Sequence, residues 1–193
     1  MAEADELRAL LRQRQAPGAD QRAIEVEITR RFGCQRAVMF TDLVGFSRQV
    51  EAFGIVHFLQ LIEESEALFL PLITQHGGNC LKREGDSMLV LFDTAGAALA
   101  TARAMVAATV ARNRARAADE CIEVCIGLGL GEVLLIDGRE VWGAEVNAAS
   151  KLGEDKAKGG EILATGPFRQ ALPTEHFVEH GLLFGSRPVY RLS

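Results

Sequence analysis

The sequence predicts an α+β domain with a ferredoxin-like core, its strands and helices running β-α-β-β-α-β. Three observations carry this reading. An apolar run, Val38-Met39-Phe40, precedes a stretch over 54–75 with Val56, Leu59, Ile62, Leu68 and Leu72 at helical spacing. Two extended pieces then flank a tight Gly85-Asp86 turn, the mark of a hairpin. An Ala-rich helical stretch from 95 to about 117 leads into an apolar strand over 122–130, which completes a split βαβ.

Taken in order, residues 4–32 are polar, with apolar positions at Leu7, Leu10 and Leu11 and again at Ile24, Val26, Ile28 and Phe32. Ala16-Pro17-Gly18 between them interrupts any single helix, so a short helix, a turn and a second segment are expected. Gly77-Gly78 ends the helix over 54–75. Arg112, Arg114 and Arg116 close the Ala-rich helix and read as solvated partners of its dipole. In the strand over 122–130 and just beyond, Gly127, Gly129 and Gly131 would let another backbone or a ligand approach closely. A separate hairpin over 133–141 is expected to turn at Asp137-Gly138. A helix over about 146–156, a short strand over 161–165, a helical turn over 167–172 and edge strands in the last twenty residues extend the core. With no repeat, linker or low-complexity tract, the expected organisation is an N-terminal helical segment, 1–32, and one domain, 33–193.

Composition sets bounds. Of 193 residues, 48% are apolar and 24% charged, ordinary for a folded domain with a sizeable core. A net charge of −5 gives no basic face for nucleic acid. Cys34, Cys80, Cys121 and Cys125 form no CxxC pair and read as buried free thiols, which fits a reducing cytoplasm. No run of about 18 apolar residues suggests a membrane span. The expectation is a cytoplasmic protein without nucleic-acid or membrane partners.

The chemistry concentrates at two strand ends. Asp42 follows the first apolar strand in VMFTDLVGF, and Asp86 lies in the turn of KREGDSMLVLF. If the two strands are neighbours, their carboxylates could hold hard divalent cations, a pattern suited to two-metal phosphoryl transfer.

These segments, with WGAEVNAASKL at 142–152, strongly resemble the class III nucleotide cyclase catalytic domain, from about Arg36 to Leu172. The resemblance implies a palm-like cyclase fold and a role for each matching position. Asp42 and Asp86 match the two metal-binding aspartates, with the carbonyl of Leu43 as a further ligand, for two Mg²⁺ or Mn²⁺ ions. The backbone at Val44, Gly45 and Phe46 matches the loop that receives the triphosphate. Lys82 and Glu140 match the base-reading pair, Asn147 the ribose-orienting asparagine, and Lys151 the position where most active members carry a transition-state arginine. Because the family draws these groups from two subunits and all occur in this chain, a head-to-tail homodimer is implied.

The base-reading pair also has a physical rationale. Lysine only donates and a carboxylate only accepts, which complements N1 and N6 of adenine and opposes guanine. ATP is therefore the expected substrate, with 3′,5′-cyclic AMP and pyrophosphate as products. Cytosine shows the same donor and acceptor order, so a cyclase of another base preference stays open. So does a weak or inactive cyclase-homology domain that regulates by binding nucleotide or dimerising, because Lys151 lacks the planar fork of arginine.

Overall fold

The structure, a computed structural model, describes residues 2–193 apart from the side chains of 46–49. Two helices open the chain, α1 (Glu3–Arg14) and α2 (Gln21–Phe32), with Asp20 capping α2 by accepting from the Ala23 N–H at 3.0 Å. There follow β1 (Gly33–Leu43), α3 (Phe46–Phe53), α4 (Ile55–Gln75), β2 (Asn79–Glu84), β3 (Ser87–Phe92), α5 (Ala95–Asn113) and β4 (Val124–Ile136). Then come β5 (Glu140–Trp142), α6 (Ala144–Lys151), β6 (Ile162–Thr165), α7 (Gly166–Gln170), β7 (Phe177–Leu183) and β8 (Arg187–Leu192).

The strands form one sheet in the order β2-β3-β1-β4-β6-β8-β7, with β5 paired to the far half of β4. Its first four strands have the ferredoxin-like order, and β1 is antiparallel to both β3 and β4. Both faces of β1 are covered. Met39 and Ala37 face a large core with Phe58, Phe69, Phe92, Met105, Ile126 and Phe168, while Val38 faces a smaller one with Leu91, Val133, Val141 and Ala149 beneath α6. Each such buried side chain contributes roughly 1.5–3 kcal/mol of transfer free energy. Ile24, Ile28 and Phe32 of α2 pack on Ile136 of β4, which seats the N-terminal helices on the sheet.

Four sequence expectations are corrected. The strand over 122–130 and the first arm of the next hairpin are one strand, β4, paired with β1 from Gly33↔Leu134 to Leu43↔Val124. The glycines keep the two-residue alternation without breaking the ladder. The last strands are not both edges: β8 lies between β6 and β7. Arg112 is not solvated, its side chain being only 9% exposed, because its guanidinium is drawn to Glu64 of α4 and the Glu120 carbonyl. Of the four free thiols only Cys125 is fully buried.

Candidate active site

Asp42 and Asp86 come together because β1 and β3 are neighbours, with Thr41 opposite Met88. Asp86 occupies the two-residue turn between β2 and β3, where Gly85 supplies the positive φ of +61°. Ser87, the next residue, donates its hydroxyl to Asp42 Oδ1 at 2.8 Å. Burial pushes the Asp42 carboxyl up to about 6, against the Ser87 hydrogen bond and with help from the negative charges of Asp86 and Glu154. Asp86 is raised by burial and by Glu154, against a backbone hydrogen bond, and its Oδ2 is buried with no hydrogen-bond partner. A buried carboxylate oxygen without a donor and two acids raised together fit a cation. Among the described residues no three His, Cys, Asp or Glu side chains cluster tightly enough to enclose a metal by themselves. The donor set is therefore open, as expected where a backbone carbonyl such as that of Leu43 and a ligand's phosphates complete the coordination.

Beside this pair lies a cavity of about 430 Å³ lined by Lys82 and Glu84 of β2, Ser87 of β3, Asn147 and Ser150 of α6, and Glu154. Lys82 and Glu84 share one face of β2, their charged groups 3.9 Å apart. Lys82 and Asn147, distant in sequence, thus border the same space. Glu140 does not. It and Trp142 lie on the opposite face of β5 from the buried Val141, beside a second cavity of about 580 Å³ under α1 and α2. Lys151 does not line the first cavity, although Ser150 before it and Glu154 beyond it do. Its ammonium pairs with Asp155 one helical turn on, and this contact raises its pKa.

The expected phosphate loop follows β1. The Val44 N–H donates to the Glu123 carbonyl at 2.9 Å, and Gly45 caps α3 with φ +90°, a conformation that suits glycine. Phe46 begins α3, and its side chain lies outside the described residues.

Sequence reasoning missed Ser87, Glu154, Asp155 and Glu145. Asp155 was findable as an (i, i+4) partner of Lys151. Glu154 was findable too, since it stands seven residues beyond Asn147 and four beyond Ser150, on the same face of the helix expected over 146–156, and the π-helical turn over Leu152–Lys156 keeps it beside the cavity. Glu145, buried on α6, accepts from the Leu130 N–H, the Thr165 hydroxyl and Arg187.

Comparison with known proteins places this arrangement. The model of the adenylate and guanylate cyclase catalytic domain matches residues 33–181, and the chain belongs to that family. It is 32% identical to an adenylate cyclase of Streptomyces coelicolor (strain ATCC BAA-471 / A3(2) / M145) over 130 residues, 67% of this chain and 32% of the relative. It is 30% identical to an adenylate cyclase of Streptomyces griseus over 145 residues, 75% of this chain and 33% of the relative. The chain thus spans about a third of the length of these curated relatives. Among solved structures, the adenylate/guanylate cyclase/hydrolase from Silicibacter pomeroyi superposes with a TM-score of 0.74 at 30% identity, covering 83% of this chain and 96% of that one. The adenylyl cyclase CyaB from P. aeruginosa has the same fold, with a TM-score of 0.72 at 21% identity over 83% of this chain and 94% of that one. Among the described residues no helix is long and apolar enough to cross a membrane.

Proposed function

We propose that this cyclase domain is an adenylate cyclase that converts ATP to 3′,5′-cyclic AMP and pyrophosphate at the interface of a head-to-tail homodimer. The observation that supports it most is the pair Asp42 and Asp86, raised together at neighbouring strand ends, with an unpartnered carboxylate oxygen on Asp86. Asp42, Asp86 and the Leu43 carbonyl would hold two divalent cations, Mg²⁺ or Mn²⁺. When bound, these lower the pKa of the ribose 3′-hydroxyl and neutralise phosphate charge.

The chain's own groups do the rest. Asn147 orients the ribose so that its 3′-oxygen faces the α-phosphorus. That oxygen bonds to the α-phosphorus, the bond to the bridging oxygen of the β-phosphate breaks, pyrophosphate leaves and the hydroxyl proton passes to water. Of the Val44-Gly45-Phe46 loop, the amides of Gly45 and Phe46 face the triphosphate, the Val44 N–H being given to the Glu123 carbonyl, and Lys151 of one subunit steadies charge on the α-phosphate at the site whose aspartates come from the other. Lys82 donates to adenine N1 and Glu140 accepts from N6. This last assignment requires the exposed Glu140 side chain to turn from the α1 side toward Lys82.

A second reading, a weak or silent domain that regulates by binding nucleotide, is favoured by the Lys151–Asp155 pair and by the separation of Glu140 from Lys82. Product formation decides between them. Purified protein is incubated with ATP, GTP, CTP and UTP in turn, with Mg²⁺ and with Mn²⁺, and products are separated by mass-resolved chromatography. Cyclic AMP from ATP alone is expected. Cyclic CMP or cyclic GMP as the main product would reassign the base, and no cyclic product at high enzyme concentration would favour the regulatory reading.

A further inference from the structure

We propose that Glu145 and Arg187 form a clamp through which the C-terminal hairpin, β7 and β8, sets the position of α6, making both of them positioning residues for Asn147 and Lys151. The proposal rests on the cyclase reading above, since the position of α6 matters to turnover only if those two residues act on nucleotide.

Glu145 lies in the first turn of α6, and its side chain is 8% exposed. Its carboxylate accepts one hydrogen bond from each of three strands. The Leu130 N–H of β4 donates at 3.3 Å, the Thr165 hydroxyl of β6 at 2.7 Å, and the Arg187 guanidinium of β8 closes the set. A carboxylate this buried is tolerated because it is paired and hydrogen-bonded, and its place in the first turn also suits the helix dipole.

The helix sits close against the sheet because the strand positions that face it carry no Cβ. A Cβ at Gly131 would stand 2.7 Å from Glu145 Cγ, and one at Gly129 would stand 2.8 Å from the Glu145 main-chain oxygen. The glycine stripe therefore admits Glu145 close to the strands, and the three hydrogen bonds hold it there. Asn147, two residues on, projects about 200° around the axis from Glu145 at 3.6 residues per turn, and it borders the cavity. One turn of α6 is anchored through one face and works through the other.

Arg187 opens β8, beyond residue 181 where the family match ends. Among the described residues its guanidinium reaches Glu145 through one nitrogen, so a lysine at this position can replace the charge. The clamp thus ties the catalytic helix to a hairpin most of which lies outside the matched domain.

The test compares full-length Arg187→Met, Arg187→Lys and Glu145→Gln with the parent protein. Cyclic AMP formation is measured against ATP at a temperature where circular dichroism shows each variant folded, and hydrogen exchange is followed at the amides of α6. Arg187→Met is expected to lower kcat by about 10- to 100-fold, as a displacement of about 1 Å does, while KM for ATP stays within about 3-fold. Arg187→Lys restores most of the loss, and exchange over 147–151 is faster in Arg187→Met than in the parent. If Arg187→Met does not fold, Glu145→Gln carries the same expectation, because it keeps the shape and removes the charge. Folded variants with parental kcat and parental exchange would overturn the clamp, as would a loss that Arg187→Lys leaves in place. If the parent itself forms no cyclic nucleotide, the cyclase reading fails, and exchange over α6 alone decides whether the clamp exists.

Discussion

Asp42 accepts from the Ser87 hydroxyl and from the Leu43 backbone N–H, and is pushed by burial and two neighbouring acids toward its protonated form. A carboxyl raised from 3.8 to about 6 binds its proton more tightly folded than unfolded, so it weakens stability as pH rises through that window. Metal-free Asp42→Asn should therefore match the parent protein near pH 4 and become the more stable of the two above pH 6, read by urea denaturation at each pH. Added Mn²⁺ should stabilise the parent and leave Asp42→Asn nearly unmoved. A parent whose stability advantage over Asp42→Asn grows with pH, without metal, would refute the origin assigned to the shift. Base reading is tested on the same scale. Lys82→Ala and Glu140→Ala should each reduce the preference of kcat/KM for ATP over GTP, on the order of 10-fold for the loss of one hydrogen bond to a base. If only Lys82→Ala does so, Glu140 stays on the α1 side and takes no part.

The element that carries Asn147 and Lys151 is α6, and a π-helical turn follows it. Its approach to β4 is set by Gly127, where a Cβ would fall 2.1 Å from the Ala149 carbonyl oxygen and 2.6 Å from the Gly153 nitrogen. Both neighbours are backbone, so neither can rotate away. Gly127→Ala should cost about 1–3 kcal/mol or more of stability, measured as a lowered urea midpoint with an unchanged slope; a neutral result would mean that α6 is free to lift. Lys151, at the end of the same helix, is 53% exposed and paired with Asp155. Lys151→Arg should raise kcat about 10-fold by offering a planar donor pair to the developing phosphate charge, and a silent Lys151→Arg protein would point to a defect elsewhere in the site.

For the whole molecule the proposal to test is that each site is shared between two chains. Asp42→Ala and Asn147→Ala should each be inactive as homodimers. Mixed after reversible dissociation, they should form heterodimers with one complete site apiece and recover on the order of a quarter of parental activity, as random pairing of symmetric dimers predicts. No recovery, with heterodimers shown to form, would place the metal aspartates and Asn147 in the same site of one chain.

By itself the sequence determined the core order and the carriers of the chemistry. Periodicity marks β1, α4, the β2–β3 turn, α5 and β4, because a strand or helix buried on one face repeats its apolar residues at the spacing of its own geometry. Asp42, Asp86, Lys82 and Asn147 could be picked out because each stands in a short ordered motif. Only the tertiary structure decided which of them meet. That Lys82 and Asn147 border one cavity while Glu140 borders another depends on the pleat of β5 and on α1 and α2 covering its far face. Glu154 shares the helix face of Asn147 by spacing alone, but that this face lies near the acid pair of β1 and the β2–β3 turn depends on where α6 packs on the sheet. The partners of Glu145 come from three strands brought side by side by the sheet, and Arg112 is buried by a glutamate on another helix. Such contacts join residues far apart in the chain, and the local preferences that a sequence displays carry no record of them.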